Sequence, residues 1–232
     1  MSEILVCDHL SKDYGSVAAL SDFNLSLESG RIVGLLGPNG SGKTTLIKIA
    51  NGLLVPTGGK ILLDGYAPGE QTKSFVSYLP DANYLPGWMR VDDLVGMFRD
   101  FYEDFDSVKA HEMLQQLNLR GSDRLKSLSK GNKEKVQLIL AMSRQAKIYF
   151  LDEPIGGVDP AARDYILNTI IRNYSENALV LMSTHLISDI ERILDEVVFI
   201  NRGTAVFHRS VDEIRETEHR SVDDLFREVF RC

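Results

Sequence analysis

Residues 37–44, with the sequence GPNGSGKT, place three glycines, a lysine and a threonine between an apolar run and a helical pattern. The spacing fits G-x-x-x-x-G-K-[ST], and the strand–loop–helix setting is the one that this motif requires. Glycine allows backbone angles closed to other residues, so successive N–H groups can curl around phosphate oxygens. The dipole of the following helix favours an anion at the same point. The stretch therefore predicts a loop that binds a nucleoside triphosphate, although a glycine-rich turn could match by chance.

Two side chains of this loop have predicted roles of their own. Lys43 would supply a mobile cation to the β- and γ-phosphates, and the Thr44 hydroxyl can ligate Mg²⁺. The other nucleotide contacts are predicted to come from the rest of the loop and the helix start, which are Gly37, Pro38, Asn39, Gly40, Ser41, Gly42 and Thr45.

A pair of carboxylates, Asp152 and Glu153, ends the apolar run IYFLDEP at 148–154. Open α/β sheets bind their ligands at the carboxyl ends of strands. Asp152 is therefore predicted to hold the metal through its water shell, and Glu153 to act as general base on the attacking water. An Asp-Glu pair before a proline is also a plausible turn, but the phosphate loop favours the catalytic interpretation.

The stretch LSKGNKEKVQLIL at 128–140 puts Ser129 and Gly131 at the start of an amphipathic helix. Small residues and free N–H groups at a helix start make another anion site. One triphosphate cannot use two full phosphate sites in one subunit. We therefore predict two subunits arranged head to tail, each lending this helix start to the other's nucleotide.

The elements that must position these residues are short apolar runs, typical of buried strands, that alternate with helical patterns. The runs lie at 31–37, 60–65, 74–80, 147–154, 178–184 and 196–203. This alternation predicts an α/β fold with a mostly parallel sheet. The first forty residues and 54–80 carry shorter strand patterns typical of an antiparallel edge. Residues 82–145 hold three helical patterns, and a last strand and two charged helices are predicted from Thr204 onwards.

The composition excludes several classes of protein. The 232 residues are 44% hydrophobic and 25% charged, the ordinary mix of a globular protein, and the net charge of −7 disfavours a nucleic-acid partner held by bulk charge. Cys7 and Cys232 have neither metal nor disulfide spacing, which fits a reducing compartment. No apolar run approaches the roughly 20 residues of a membrane span. We expect a cytoplasmic protein without direct membrane insertion.

Taken in order, the motifs resemble those of the ATP-binding subunits of ABC transporters over residues 1 to about 205. GPNGSGKTT is similar to the Walker A motif, IYFLDE to Walker B and LSKGN to the signature motif. PIGGVDP at 154–160 is similar to the D-loop, STHL with His185 to the switch-histidine segment, and Tyr14 to the aromatic residue that stacks on adenine.

This resemblance implies a single ABC ATPase domain over 1–232 with a P-loop NTPase core. The core would comprise 1–81 and 146–205 with an antiparallel β edge subdomain. A helical subdomain at 82–145 would be inserted before the signature motif, and 206–232 would be a C-terminal helical extension.

The resemblance also implies how the protein works: a dimer, formed by two copies or with a sister chain, binds two MgATP, and hydrolysis powers a separate integral-membrane permease. Ser129 and Gly131 would contact the γ-phosphate held by the opposite subunit. His185 would hydrogen-bond the γ-phosphate, and Asp159 would communicate across the interface. The chain would then lie on the inner face of the membrane, bound through the permease.

Three residues depart from the family pattern: Lys130 and Asn132 replace a glycine and a glutamine of the signature, and Asp81 follows YLP where a glutamine is usual. Asp81 can still bind Mg²⁺ through water, but an ionised carboxylate donates no hydrogen bond. The signature form, Asp81 and the D-loop resemble those of the bacterial bacitracin- and lantibiotic-resistance exporters, which favours export.

Tyr84 and Trp88 are predicted to be exposed where the family meets its permease, although ordinary helical packing would also explain them.

Two other functions stay open on the sequence. One is a soluble ABC ATPase with a non-transport role, such as a regulatory one or one in translation or DNA repair. Those of translation or DNA repair usually carry two tandem cassettes or a long coiled-coil insertion between Walker A and the signature, whereas here one cassette has a short interval between Lys43 and Ser129. A module that binds ATP without turnover is disfavoured by the presence of Glu153 and His185. The transported substrate and the direction of transport are not determined by these residues.

Overall fold

The structure, a computed structural model, describes residues 3–156 and 160–230, with the side chains of 160–162 left out. Within these ranges the strands form two sheets. The antiparallel sheet has the order β2-β1-β4, with β1 at Glu3–Tyr14, β2 at Val17–Glu28 and β4 at Gly58–Leu63. The larger sheet has the order β5-β6-β7-β3-β8-β9, with β3 at Arg31–Leu36, β5 at Val76–Leu79, β6 at Ile148–Asp152, β7 at Leu179–Thr184, β8 at Glu196–Asn201 and β9 at Thr204–Ser210.

The helices of the described residues lie between and after these strands. They are α1 at Lys43–Ala50, α2 at Glu70–Lys73, α3 at Val91–Phe101, α4 at Ser107–Gln116, α5 at Lys130–Met142, α6 at Pro160–Asn173, α7 at Ile187–Ile190, α8 at Val211–Glu218 and α9 at Val222–Val229. The three helical patterns predicted within 82–145 correspond to α3, α4 and α5, and are confirmed. No helix in the described ranges combines the length and apolarity that crossing a membrane requires.

The large sheet is parallel from β5 to β8, and only β9 runs antiparallel to its neighbour. Strands β6 and β7 are buried along their whole length, as parallel strands covered on both faces must be. Leu36 pairs with Thr184 and Asp152 with Ser183, so β3, β6 and β7 end along one edge of the sheet. The predicted α/β class with a mostly parallel sheet is confirmed.

The boundaries of the antiparallel region were partly wrong. β3 lies within the first forty residues and β5 within 54–80, yet both join the large sheet in parallel pairing. The physical reason is burial: Ile32 to Leu36 are all buried, which suits a central strand and not an exposed edge.

One shorter correction concerns the last third of the chain. The helical part of the C-terminal segment begins at Val211 and not at residue 206, because residues up to Ser210 extend β9 against β8.

The apolar core divides between the two faces of the large sheet. Because side chains alternate along a strand, Tyr149 and Leu151 of β6 pack with the α3–α5 region, whereas Ile148 and Phe150 pack towards the antiparallel sheet and α1. Arg144, just after α5, fixes the helical segment to the sheet: its guanidinium donates to the Asp104 carboxylate at 2.6 Å and to the Val76 carbonyl at 2.9 Å.

Candidate active site

The loop between β3 and α1 needs glycine at two positions. Gly42 has φ +114°, and a Cβ there would lie 2.5 Å from the Ala19 carbonyl oxygen. A Cβ on Gly37 would lie 2.3 Å from the Ile200 carbonyl oxygen. The tight packing of this loop therefore excludes a side chain at both residues. Without side chains, the backbone can turn directly into α1. The N–H groups in the first turn of α1 have no hydrogen-bond partners within the helix.

Lys43, the first residue of α1, turns back across this loop. Its Nζ donates to the Gly37 carbonyl at 2.7 Å and to the Pro38 carbonyl at 3.2 Å. The side chain is buried, and this burial lowers the pKa of Lys43, although the nearby Glu153 and Asp152 carboxylates act in the opposite direction. The ammonium group is thus held over the loop that the sequence predicts to bind phosphates.

Asp152, at the end of β6, is 1% exposed and faces two hydroxyl groups. Its Oδ1 accepts hydrogen bonds from Ser183 Oγ at 2.5 Å and from Thr44 Oγ1 at 3.3 Å. Burial raises the pKa of Asp152, while the bonds from Ser183 and Thr44 lower it. Its Oδ2 is buried without a hydrogen-bond partner among the described residues.

Glu153 has φ +51°, a left-handed conformation that is uncommon outside glycine and often found at functional sites. Two contacts hold its backbone, since its N–H donates to both the carbonyl and the hydroxyl oxygen of Ser183 at 3.1 Å. Its Oε2 lies 3.0 Å from His185 Nδ1. A carboxylate only accepts hydrogen bonds, so this contact places a proton on Nδ1.

Asp81 follows β5 and lines a narrow cleft of about 20 Å³ together with Asp152 and Glu153. Glu134 and Gln137, on α5, line the same cleft. The structure therefore brings Asp81 to the carboxylate pair, as expected from parallel strands that end at one edge.

The remaining predicted residues lie on other elements. Tyr14 ends β1 and is 48% exposed, with Lys12 Nζ 5.3 Å from its ring centroid. Ser129 caps α5 by accepting from the Asn132 N–H at 3.3 Å, and Gly131 lies in the first turn. Within the described ranges no hydrogen bond joins Ser129 to the phosphate loop. Asp159 lies outside the described residues.

The sequence interpretation missed Ser183, Glu134 and Gln137. Ser183 binds both Asp152 and the Glu153 backbone, and its position two residues before His185 was the available signal. Gln137 Oε1 accepts from the Tyr84 N–H at 3.2 Å, which ties α5 to the loop that carries Asp81. Burial raises the pKa of Glu134, which the Lys130 cation opposes.

The oxygen groups around Asp152 fit a magnesium ion. Mg²⁺ prefers oxygen ligands and is commonly held by one or two carboxylates, waters and substrate phosphates. The unpartnered Asp152 Oδ2 and the neighbouring Thr44 hydroxyl provide such oxygens. Throughout the described part of the chain, no three His, Cys, Asp or Glu side chains form a metal cage of their own. The donor set therefore suits an ion shared with a bound nucleotide.

Comparison with known proteins identifies the class. A family model described as ABC transporter matches residues 20–156, more than half of the chain, so this protein belongs to the ABC transporter family. It is an ATP-binding subunit with an ATPase domain.

Among curated relatives, the ABC transporter ATP-binding protein YtrB of Bacillus subtilis is 30% identical over 89% of this chain and 72% of that protein. A Nostoc ABC transporter ATP-binding protein, all4389, is 31% identical over 85% of this chain, which spans 62% of that protein's length. SkfE of Bacillus subtilis, named as a SkfA peptide export ATP-binding protein, is 29% identical over 92% of both chains.

Solved structures agree with the fold. An ATP-binding subunit of an ABC transporter superposes with a TM-score of 0.87 at 28% identity, covering 98% of this chain and 100% of the other. The cassette MJ0796, described as dimeric in a post-hydrolysis state with ADP and Pi, superposes with a TM-score of 0.78 at 20% identity, over 89% of this chain and 98% of that one. At that identity it supports the fold alone.

Proposed function

We propose that this chain closes head to tail with a second ATP-binding subunit around two MgATP, and that hydrolysis drives substrate movement, in the direction of export, through a separate membrane permease. The observation that carries the proposal is the convergence of Lys43, Asp152, Glu153 and His185 at one sheet edge, while a second helix start with Ser129 exposed lies on α5. Two anion sites on separate elements suit two nucleotides shared between two subunits.

The contacts of these residues support the following catalytic roles. Lys43 binds the β- and γ-phosphates, and Thr44, Asp152 and Asp81 are the residues that would hold Mg²⁺. Bound Mg²⁺ would neutralise charge on the phosphates. Glu153 takes the proton of the attacking water, and His185, which already bonds Glu153, holds the carboxylate and the γ-phosphate in position.

Other residues would bind the nucleotide or the second subunit. Tyr14 stacks on adenine, and the backbone of the loop from Gly37 to Thr45 cradles the phosphates. Ser129 and Gly131 reach the γ-phosphate of the opposite subunit, and Asp159 contacts the interface. In this scheme 1–81 and 146–205 form the nucleotide-binding core, and 82–145 forms a helical subdomain that carries the signature to the partner.

A groove of about 430 Å³ supports the permease as a partner. Apolar side chains of Leu53, Tyr84, Phe98 and Tyr102 line it. Tyr84 is 48% exposed and Trp88 nearby in sequence is 72% exposed, as predicted. Large exposed apolar side chains around a groove are typical of a protein interface. The peptide export named for SkfE supports the direction, and docking would place the chain on the inner face of the membrane.

The experiment is size-exclusion chromatography of the full chain carrying Glu153→Gln, with Mg²⁺ and ATP. Removing the base should stop hydrolysis but keep the phosphate contacts, so ATP should shift the protein to a dimer. Glu153→Gln combined with Lys43→Ala is the matched control and should stay monomeric.

Affinity purification from the native host then tests the partner. An integral-membrane protein should co-purify with the chain. A dimer without any membrane protein would favour the soluble regulatory ATPase, and near-normal turnover by Glu153→Gln would reject the base.

A further inference from the structure

Gln137 is a buried amide on the apolar face of α5. It is 2% exposed, and the other residues from Val136 to Met142 are apolar and buried as well. A buried amide needs hydrogen-bond partners, because leaving its polar atoms unpaired is costly. The partner of this side chain therefore shows why a polar residue lies in a stretch that otherwise packs into the core.

That partner is the backbone of the segment that follows β5. The Tyr84 N–H donates to Gln137 Oε1 at 3.2 Å. The neighbouring Leu85 N–H bonds only locally, to Asn83 Oδ1 at 3.0 Å. Among the described residues, no other hydrogen bond joins residues 81–85 to another helix or strand. The Gln137 side chain is thus the hydrogen-bonded anchor between this segment and α5.

The anchored segment lies between two sites. Tyr84 lines the apolar groove of about 430 Å³. Asp81 and Gln137 line the narrow cleft that also contains Asp152. Pro80 lines both the groove and the cleft. A shift of this segment would therefore move Asp81 relative to the predicted metal residues.

Electrostatic repulsion at the same place makes an anchor necessary. Burial raises the pKa of Glu134, one turn before Gln137, and the Asp81 carboxylate raises it further. The two carboxylates are therefore close enough to repel each other. α5 thus meets the segment twice, with Glu134 repelling Asp81 and Gln137 holding Tyr84 three residues later on both elements. The hydrogen bond opposes the repulsion.

We propose that Gln137 is a positioning residue for Asp81, and that its hydrogen bond to the Tyr84 backbone keeps the Asp81 carboxylate facing the Mg²⁺ site. The inference rests on the proposed function for its metal. Hydrogen-bonding groups that orient a metal's ligands commonly change metal affinity when they are removed. Because the anchor comes from α5, which starts with the signature residues, the position of Asp81 would follow that helix.

Amide hydrogen exchange of the full chain, followed by NMR, tests the anchor without metal or nucleotide. Gln137→Met keeps an unbranched side chain that suits a buried helix face, but it offers no oxygen to Tyr84. Exchange of the Tyr84 N–H should become about tenfold faster, because exchange requires this hydrogen bond to open. Gln137→Glu keeps an acceptor oxygen and should stay near the wild-type rate. The Leu85 N–H, bonded to Asn83, is the internal control and should not change.

Mn²⁺ binding tests the link to Asp81. With the full chain and a non-hydrolysable ATP analogue, electron paramagnetic resonance of free Mn²⁺ measures affinity without any turnover. Gln137→Met should weaken Mn²⁺ binding about tenfold. It should cause no further loss when Asp81→Ala is already present, since residues that act through one another are not additive. Gln116→Met, at an exposed glutamine on α4, is the matched control and should bind like wild type.

Each of three results would overturn the inference. The first is an unchanged exchange rate for the Tyr84 N–H in Gln137→Met. The second is Mn²⁺ affinity of that variant within about twofold of wild type, because an orienting group should matter more than this. The third is an equal loss of affinity with and without Asp81→Ala, since Gln137 would then act independently of Asp81. If the proposed function itself fails, wild type shows no nucleotide-dependent Mn²⁺ binding, whereas failure of this inference alone leaves wild-type binding intact.

Discussion

His185 Nδ1 lies 3.0 Å from Glu153 Oε2, and this contact joins the ends of two adjacent parallel strands. The backbone of Glu153 is held in its left-handed conformation by Ser183, two residues before His185. Glu153, the predicted general base, is therefore held in position by β7 as well as by its own strand, β6. Small changes at His185 should alter the orientation of Glu153 without removing it.

We expect His185→Ala to lower the turnover number for ATP roughly 100-fold, because the aligned Glu153 carboxylate loses its partner. Nucleotide affinity should change little, since the phosphate loop is intact. Phosphate release under saturating ATP measures the effect, with His111→Ala, an exposed histidine on α4, as control. Wild-type turnover in His185→Ala would contradict the role.

Lys43→Ala should weaken ATP binding itself. A charge-assisted hydrogen bond contributes about 1.5–3 kcal/mol, equivalent to roughly a 10- to 150-fold change in the dissociation constant. Calorimetric titration with ATP measures it. Lys48→Ala removes an exposed cation from the same helix and should bind ATP normally. Equal affinities for the two variants would reject a phosphate contact for Lys43.

Variants of Asp81 test its predicted contact with Mg²⁺ through water. Asp81→Asn keeps the shape but removes a negative charge, so hydrolysis should require more Mg²⁺. Asp81→Gln should retain more activity than Asp81→Ala, because its amide oxygen can still accept a hydrogen bond from a metal-bound water. The measurement is the ATPase rate against Mg²⁺ concentration, with the exposed Asp100→Asn as control. If all three variants keep the wild-type profile, Asp81 is only a polar loop residue.

Cys7 should resist thiol reagents in the folded protein. It is 4% exposed on β1, and burial raises the pKa of its thiol to about 12. At pH 8 the reactive thiolate is then about 10⁻⁴ of the population, and it increases as the pH rises towards that pKa. Iodoacetamide labelling of Cys232→Ser should be very slow at pH 8 and fast in guanidinium chloride. Rapid labelling of the folded protein would contradict the burial.

The sequence alone was sufficient to predict those parts of the candidate site whose residues are neighbours in the chain. The loop at 37–44 brings its glycines and Lys43 together within eight residues, so spacing alone predicts a phosphate cradle. The same holds for Asp152 and Glu153, which an apolar run of β-type residues places at a strand end. The order of strands and helices predicted the α/β class because each element has its own local hydrophobic pattern.

Only the tertiary structure decided which strands pair and which carboxylates share a cleft. β3 and β5 pair in parallel with residues more than seventy positions away, and no local pattern names those partners. Glu134 and Asp152 line the same cleft because α5 packs against β5, a contact that no local pattern contains. Hydrophobic periodicity specifies which face of an element is buried, but the partner that buries it is chosen by the packing of the whole chain.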